Sequence, residues 1–205
     1  MESKRTYQTE EQEKYKDELR LEILDSVVKD RMPKLPYHNY EHAKSVEEAV
    51  SRYSDIINRS YEDKFLLRTA AKIHDIIFVK GRKDNEEKSA EFAEVYLPLI
   101  LYTPLKIQTI KSLVLATKMP QNPNNYLEQL LCDADLDNLG RLDFFELGEK
   151  VRIELGIPDN EKWYEQQLKF LTNHQYHTDV ARTLRDSGKE ANVKKLEKMI
   201  QEAKC

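Results

Sequence analysis

Between Lys64 and Phe78 the apolar residues Phe65, Leu66, Leu67, Ala70, Ala71, Ile73, Ile76, Ile77 and Phe78 cover most of a helix circumference toward the C-terminal end. A helix that is apolar over so much of its surface is packed on several sides, so other helices must surround it. His74 and Asp75 stand adjacent within this run. An ionised carboxylate among apolar neighbours is costly unless a cation or hydrogen-bond donors compensate it. A metal ion would supply that compensation, and so would a buried His–Asp pair that only stabilises the core. Which of the two applies depends on whether the rest of the chain supplies further ligands.

The flanking sequence reads as helices. From about Thr9 to Met32, Tyr15, Leu19, Ile23, Leu24, Val27, Val28 and Met32 recur at threes and fours, with glutamates early and basic residues late, as the helix dipole favours. Pro33 and Pro36 end this helix. A second is predicted from Asn39, a suitable N-cap, to about Asn58, and residues 64–78 form the third. After a polar, basic break at 79–85, helices are predicted over 86–97, 105–117, 126–139, 144–155, 161–172 or beyond, and 191–203. Gly156-Ile157-Pro158 and Ser187-Gly188 read as breaks. No stretch alternates as a strand would, and the chain's 5 glycines leave few of the tight turns that sheets need. The expectation is an all-α single domain over residues 1–205, with its core at about 36–140 and helices at about 143–205 packed on it.

A formal net charge of -4 gives no basic field for a nucleic-acid polymer. Cys132 and Cys205 form neither a disulfide framework nor a thiolate zinc pattern, which fits a reducing, cytoplasmic setting. The start, Met1-Glu2-Ser3-Lys4-Arg5, lacks the apolar region of a leader, and no apolar run approaches a membrane span, so neither secretion nor a membrane partner is expected.

Further ligand types are present. His38 and His42 stand four apart at the start of the second helix. Asp133, Asp135 and Asp137 interrupt an apolar run carrying Leu130, Leu131, Leu136 and Leu139. Successive helical residues are about 100° apart, so Asp133 and Asp135 cannot both point one way. One of them is a candidate ligand, and the other supports it or lies at the surface. Imidazoles and carboxylates without usable thiolates suit a hard or borderline divalent cation.

The order His, His-Asp, Asp over separate helices resembles the HD superfamily of metal-dependent phosphohydrolases. Tyr37-His38-Asn39-Tyr40-Glu41-His42-Ala43-Lys44-Ser45-Val46 is similar to its YHNxxHxxxV helix start, Ala70-Ala71-Lys72-Ile73-His74-Asp75-Ile76-Ile77-Phe78 to AAxxHDxxF, and Asp133-Ala134-Asp135-Leu136 to DADxL. Asn85-Glu86-Glu87-Lys88-Ser89-Ala90 also looks like the NExxSA stretch of small uncharacterised bacterial members. The resemblance implies an HD-type helical bundle whose metal ligands fall on His42, which precedes Val46 by four residues, on His74 and Asp75, and on Asp135, with Asp133 as the fallback. The chain departs from the two-metal branches in having no histidine between Asp75 and Asp133, and Asn85 stands where some of those members have one. One divalent ion is therefore expected (Mn²⁺, Co²⁺, Ni²⁺, Fe²⁺ or Mg²⁺), and the two-iron oxygenase branch is disfavoured.

The implied reaction is attack of metal-activated water on a phosphate ester or anhydride, with a small phosphorylated substrate such as a nucleotide as partner. A cyclic-nucleotide or alarmone phosphodiesterase would use the same ligands. A sensor that binds metal and nucleotide without turnover, using the helices after Asp143 as a partner or homodimer surface, is a third reading. His38 is the candidate for phosphate contact or proton donation, and Glu86 for positioning water, each with an ordinary structural role as the alternative. Lys118, Arg141 and Asn39 are candidate substrate contacts. His174 and His177 are placed at the pocket opening or the surface, and Trp163 and Tyr164 in the core or in a base-stacking wall.

Overall fold

The computed structural model describes the backbone of residues 2–203 and the side chains of residues 10–202, so Met1 and Cys205 lie outside the described residues. Nine α-helices and two 3-10 turns form among the described residues, with no strand. They are α1 (Glu2–Arg31), α2 (Tyr40–Ile56), α3 (Tyr61–Ile73), α4 (Asn85–Tyr96), α5 (Pro104–Ala116), α6 (Tyr126–Asp135), α7 (Phe144–Leu155), α8 (Glu161–Asn173) and α9 (Asp179–Ala203). The 3-10 turns are Leu97–Ile100 and Asp137–Gly140. None of the described helices is long and apolar enough to cross a membrane.

The all-round apolar helix is the hub. α3 packs against α1, α2, α5 and α6 and buries Phe65, Leu66, Leu67, Ala70, Ala71 and Ile73. Ser60 caps its start by accepting from the Asp63 N–H at 3.1 Å. The helix stops at Ile73, short of the predicted Phe78, because α4 takes over the backbone groups that follow. Ser89 Oγ accepts from the Ile77 N–H at 3.2 Å, and Asn85 Oδ1 accepts from the Val79 N–H at 3.0 Å. Asn85 Nδ2 donates back to the Val79 carbonyl at 3.2 Å. With these partners the segment has no need of a helical ladder. His74 and Asp75 thus sit on a turn at the end of α3, not inside a helix.

The second difference is at Ser187-Gly188, read above as a break. α9 runs through it unbroken from Asp179. Gly188 is there for closeness, since a Cβ on it would lie 2.1 Å from the Gly140 carbonyl oxygen, and a Cβ on Gly140 would lie 2.3 Å from the Arg185 carbonyl oxygen. α9 therefore lies directly on the 137–140 turn, and Asn192 Nδ2 completes the contact by donating to the Leu139 and Arg141 carbonyls at 2.9 and 3.1 Å.

The three acidic residues after Cys132 separate into three jobs. Buried Asp133 accepts from the His177 N–H, the Thr178 N–H and Thr178 Oγ1 at 2.7, 2.8 and 2.6 Å, which anchors the start of α9. Buried Asp137 accepts from Arg185 Nε at 2.6 Å, from Arg52 at 3.2 Å and from the Tyr53 hydroxyl, tying α2 to α9. Asp135, the last residue of α6, turns toward the histidines.

Candidate metal centre

Three helix ends meet at one point. His42 lies in the first turn of α2, where Asn39 Oδ1 accepts from the Glu41 and His42 N–H groups at 2.9 and 3.2 Å. Asn39 Nδ2 donates to the Leu35 and Pro36 carbonyls at 2.8 and 3.1 Å. This amide edges the cleft, yet both its ends are committed to backbone, so it positions His42 instead of reaching for a substrate as expected above. His74 and Asp75 come from the end of α3, and Asp135 from the end of α6.

Their ligand atoms all lie within 4.8 Å of one another. His42 Nε2 is 3.2 Å from Asp135 Oδ1 and 3.6 Å from Asp75 Oδ2. His74 Nε2 is 3.1 Å from Asp75 Oδ2, 3.3 Å from Asp135 Oδ1 and 3.2 Å from His42 Nε2. Adjacent corners of an octahedron with bonds of about 2.1 Å are about 3.0 Å apart, so the spacing suits two nitrogens and two oxygens around one divalent ion. His74 Nδ1 donates to the Ala71 carbonyl at 2.9 Å, so Nε2 is the nitrogen that faces the cluster and the one that would bind a metal in place of its proton. The group could hold a metal ion.

The electrostatics favour a cation at this point. Burial would push Asp75 and Asp135 up, but the facing imidazoles hold both carboxyls below their ordinary values. Burial would push His74 down, and the two carboxylates outweigh it and hold the imidazole well above its ordinary value. Burial raises the Tyr37 phenol, as do the Asp135 and Asp75 carboxylates near it, so its hydroxyl stays protonated. The Tyr37 and His42 rings are 4.6 Å apart.

His38 flanks the cluster. Its ring stacks on Phe78 at 3.6 Å, and Nε2 is 3.9 Å from Asp75 Oδ2. Nδ1 makes a short hydrogen bond with Glu154, whose carboxylate also accepts from the Tyr37 and His38 N–H groups at 2.9 Å each. Glu154 was absent from the sequence-based candidates. Its one signal is a glutamate on the inward face of an amphipathic helix, and its partners Tyr37 and His38 are 117 and 116 residues away.

Glu86 is half-buried in the first turn of α4, and burial first, then the Asp75 carboxylate, raises its carboxyl. Lys118 pairs with Glu87 beside it. Arg141 lines the cleft above His42 and Asp135, with Nη1 donating to Ser45 Oγ at 2.7 Å and Nε to Asp143 Oδ1 at 2.9 Å. That cleft measures about 230 Å³, and Lys150 stands at its edge. Asp133, the fallback ligand, belongs to the α9 anchor and is not part of the cluster. Trp163 is largely buried against a separate cavity, whereas the Tyr164 hydroxyl donates to Asp159 at 2.9 Å.

His177 meets Asp133 through its backbone, and His174 lies between Phe170 and Tyr176. Burial first, then Lys189 and His177, lowers His174 from 6.5 to about 4. A histidine whose folded pKa is depressed contributes stability above its unfolded value, and that contribution is lost as pH falls through the window from 6.5 to about 4. In His174→Gln, the loss of unfolding free energy between those two pH values should be shallower by roughly 1–2 kcal/mol. Urea unfolding at each pH measures it.

The chain is thus an all-α protein whose helix ends gather a His/Asp group able to hold a metal. No protein-family model matches it, and no curated protein matches it. Among solved structures the fold is similar to that of Bacillus subtilis YpgQ, determined in complex with ADP, with a TM-score of 0.68 and 17% sequence identity over 93% of this chain and 100% of that one. At this identity the likeness shows the fold. The His/Asp group of this chain is a separate observation and could hold a metal ion.

Proposed function

We propose that this protein is an HD-type metal-dependent phosphohydrolase acting on a nucleotide. The observation that carries the reading is the convergence of His42, His74, Asp75 and Asp135, two of which, His42 and Asp135, line a cleft edged by Arg141 and Lys150. The ADP held by YpgQ, a protein of similar fold, supports a phosphorylated nucleotide as the ligand. A divalent ion held by the four side chains would supply Lewis acidity toward a phosphoryl oxygen and activate water for in-line attack.

The other roles fall to the chain itself. Arg141 and the protonated Tyr37 hydroxyl donate to phosphate oxygens. His38 presents Nε2 toward the centre while Glu154 fixes Nδ1, which suits donation of a proton to the leaving oxygen. Glu86 orders water beside Asp75, and the Lys118–Glu87 ion pair stands next to it.

Release of phosphate or pyrophosphate from a panel of nucleotides with added Mn²⁺ tests the reading. Turnover confined to cyclic nucleotides or alarmones would mark a phosphodiesterase, and a metal-loaded protein that turns over nothing would be a sensor. Glu154→Gln should lower kcat by roughly 10- to 100-fold with metal content unchanged. An unchanged kcat would remove the His38–Glu154 pair from the mechanism.

A further inference from the structure

Between α7 and α8 lies a second cavity, of about 410 Å³. Its walls are mainly apolar, from Phe144 and Val151 of α7, Trp163 and Phe170 of α8, and Leu139, and no Asp, Glu, Lys or Arg is among the residues that line it. One polar group inside is uncommitted. Gln167 of α8 lines the cavity and is 9% exposed, and its amide atoms keep accessible surface there without a hydrogen-bond partner among the described residues. α7 makes room for this amide. A Cβ on Gly148 would lie 2.3 Å from Gln167 Nε2, so only glycine fits at a mid-helix position where alanine would favour the helix more. A largely buried amide left unpaired is unfavourable, and a ligand that bonds it while covering the apolar walls removes that cost.

Tyr37 and His38 also line the cavity and wall it off from the metal ligands, His38 Nε2 being 3.9 Å from Asp75 Oδ2. Glu154 fixes that wall by accepting from the N–H groups of both residues at 2.9 Å each, and the His38 ring stacks on Phe78. We infer that the cavity is a second ligand site, separate from the metal cleft, for a small neutral molecule with an apolar body and one carboxamide-type group that pairs with Gln167. The apolar walls select the body. A phosphate or carboxylate finds no countercharge there, which disfavours an anion. Gln167 offers an acceptor and a donor side by side, and a carboxamide returns a donor and an acceptor in the same arrangement. The site stands or falls without the hydrolase reading.

Trp163 is the only tryptophan in the chain and lines the cavity, so its fluorescence reports on occupancy. The full-length protein is titrated with cyclohexanecarboxamide, with cyclohexyl methyl ketone, which has a methyl in place of the amino group, and with cyclohexanecarboxylate. The carboxamide is expected to change Trp163 emission and to bind about tenfold more tightly than the ketone and at least about 100-fold more tightly than the carboxylate. In Gln167→Leu the carboxamide and the ketone are expected to bind equally. Val151→Phe, which fills the cavity, is expected to weaken both about tenfold and to leave their ratio unchanged. Excess ADP is expected to leave carboxamide binding unchanged. Equal affinity for carboxamide and ketone in the wild type, or Trp163 emission unmoved by either, overturns the site. Competition between ADP and the carboxamide assigns the cavity to the nucleotide and overturns a separate site. None of these readouts uses turnover, so the failure of this inference and the failure of the hydrolase reading are told apart.

Discussion

His74→Ala is expected to lower phosphate release by about 10³-fold or more, because a divalent ion at this site supplies several kcal/mol of transition-state stabilisation. His74 is the most constrained member of the group. It is 1% exposed, its Nδ1 is fixed by the Ala71 carbonyl, and its Nε2 lies 3.1–3.3 Å from Asp75, His42 and Asp135. No neighbour can take its place. Truncation also leaves two buried carboxylates sharing one fewer imidazole, so some stability is lost as well. Activity is therefore compared on protein shown to be folded by circular dichroism, with His74→Asn as a variant closer in volume. Activity retained within a factor of two or so in folded His74→Ala would exclude the centre from the reaction.

The second large effect is on stability. Asp133→Ala is expected to cost about 3 kcal/mol, read by urea unfolding, because three donors are left without an acceptor in the core. Asp133 is fully buried and accepts from two N–H groups and a hydroxyl at the start of α9, within 2.8 Å each. Losing it frees the end of a 25-residue helix. The folded fraction should still take up metal, since Asp133 contributes no atom to the cluster. Loss of metal with stability intact would mean that Asp133, and not Asp135, faces the ion.

Much of this was legible from local pattern. The apolar run around Phe65–Ile73 predicts a central helix, and α3 is that helix. Asn39 reads as an N-cap and is one. His42, His74, Asp75 and Asp135, spaced over some ninety residues, do come together. What was not legible depends on partners distant in the chain. Helical spacing shows only that Asp133 and Asp135 diverge; the arrival of the Thr178 end of α9 determines which one is occupied elsewhere. Gly188 resembles a breaker until Gly140 is seen against it. Asn85 falls in the predicted break and Ser89 in the helix after it, yet they end α3 five residues early by bonding the backbone at Val79 and Ile77. Glu154 carries no local mark of its pairing with His38.

The most direct test of the metal centre is metal content per folded chain, measured by mass spectrometry of the elements on purified wild type, Asp135→Ala and Asp133→Ala after incubation with Mn²⁺ and removal of excess. The expected result is about one ion per chain in the wild type and in the folded fraction of Asp133→Ala, and none in Asp135→Ala. Equal metal in the wild type and Asp135→Ala, or none in the wild type, would contradict it.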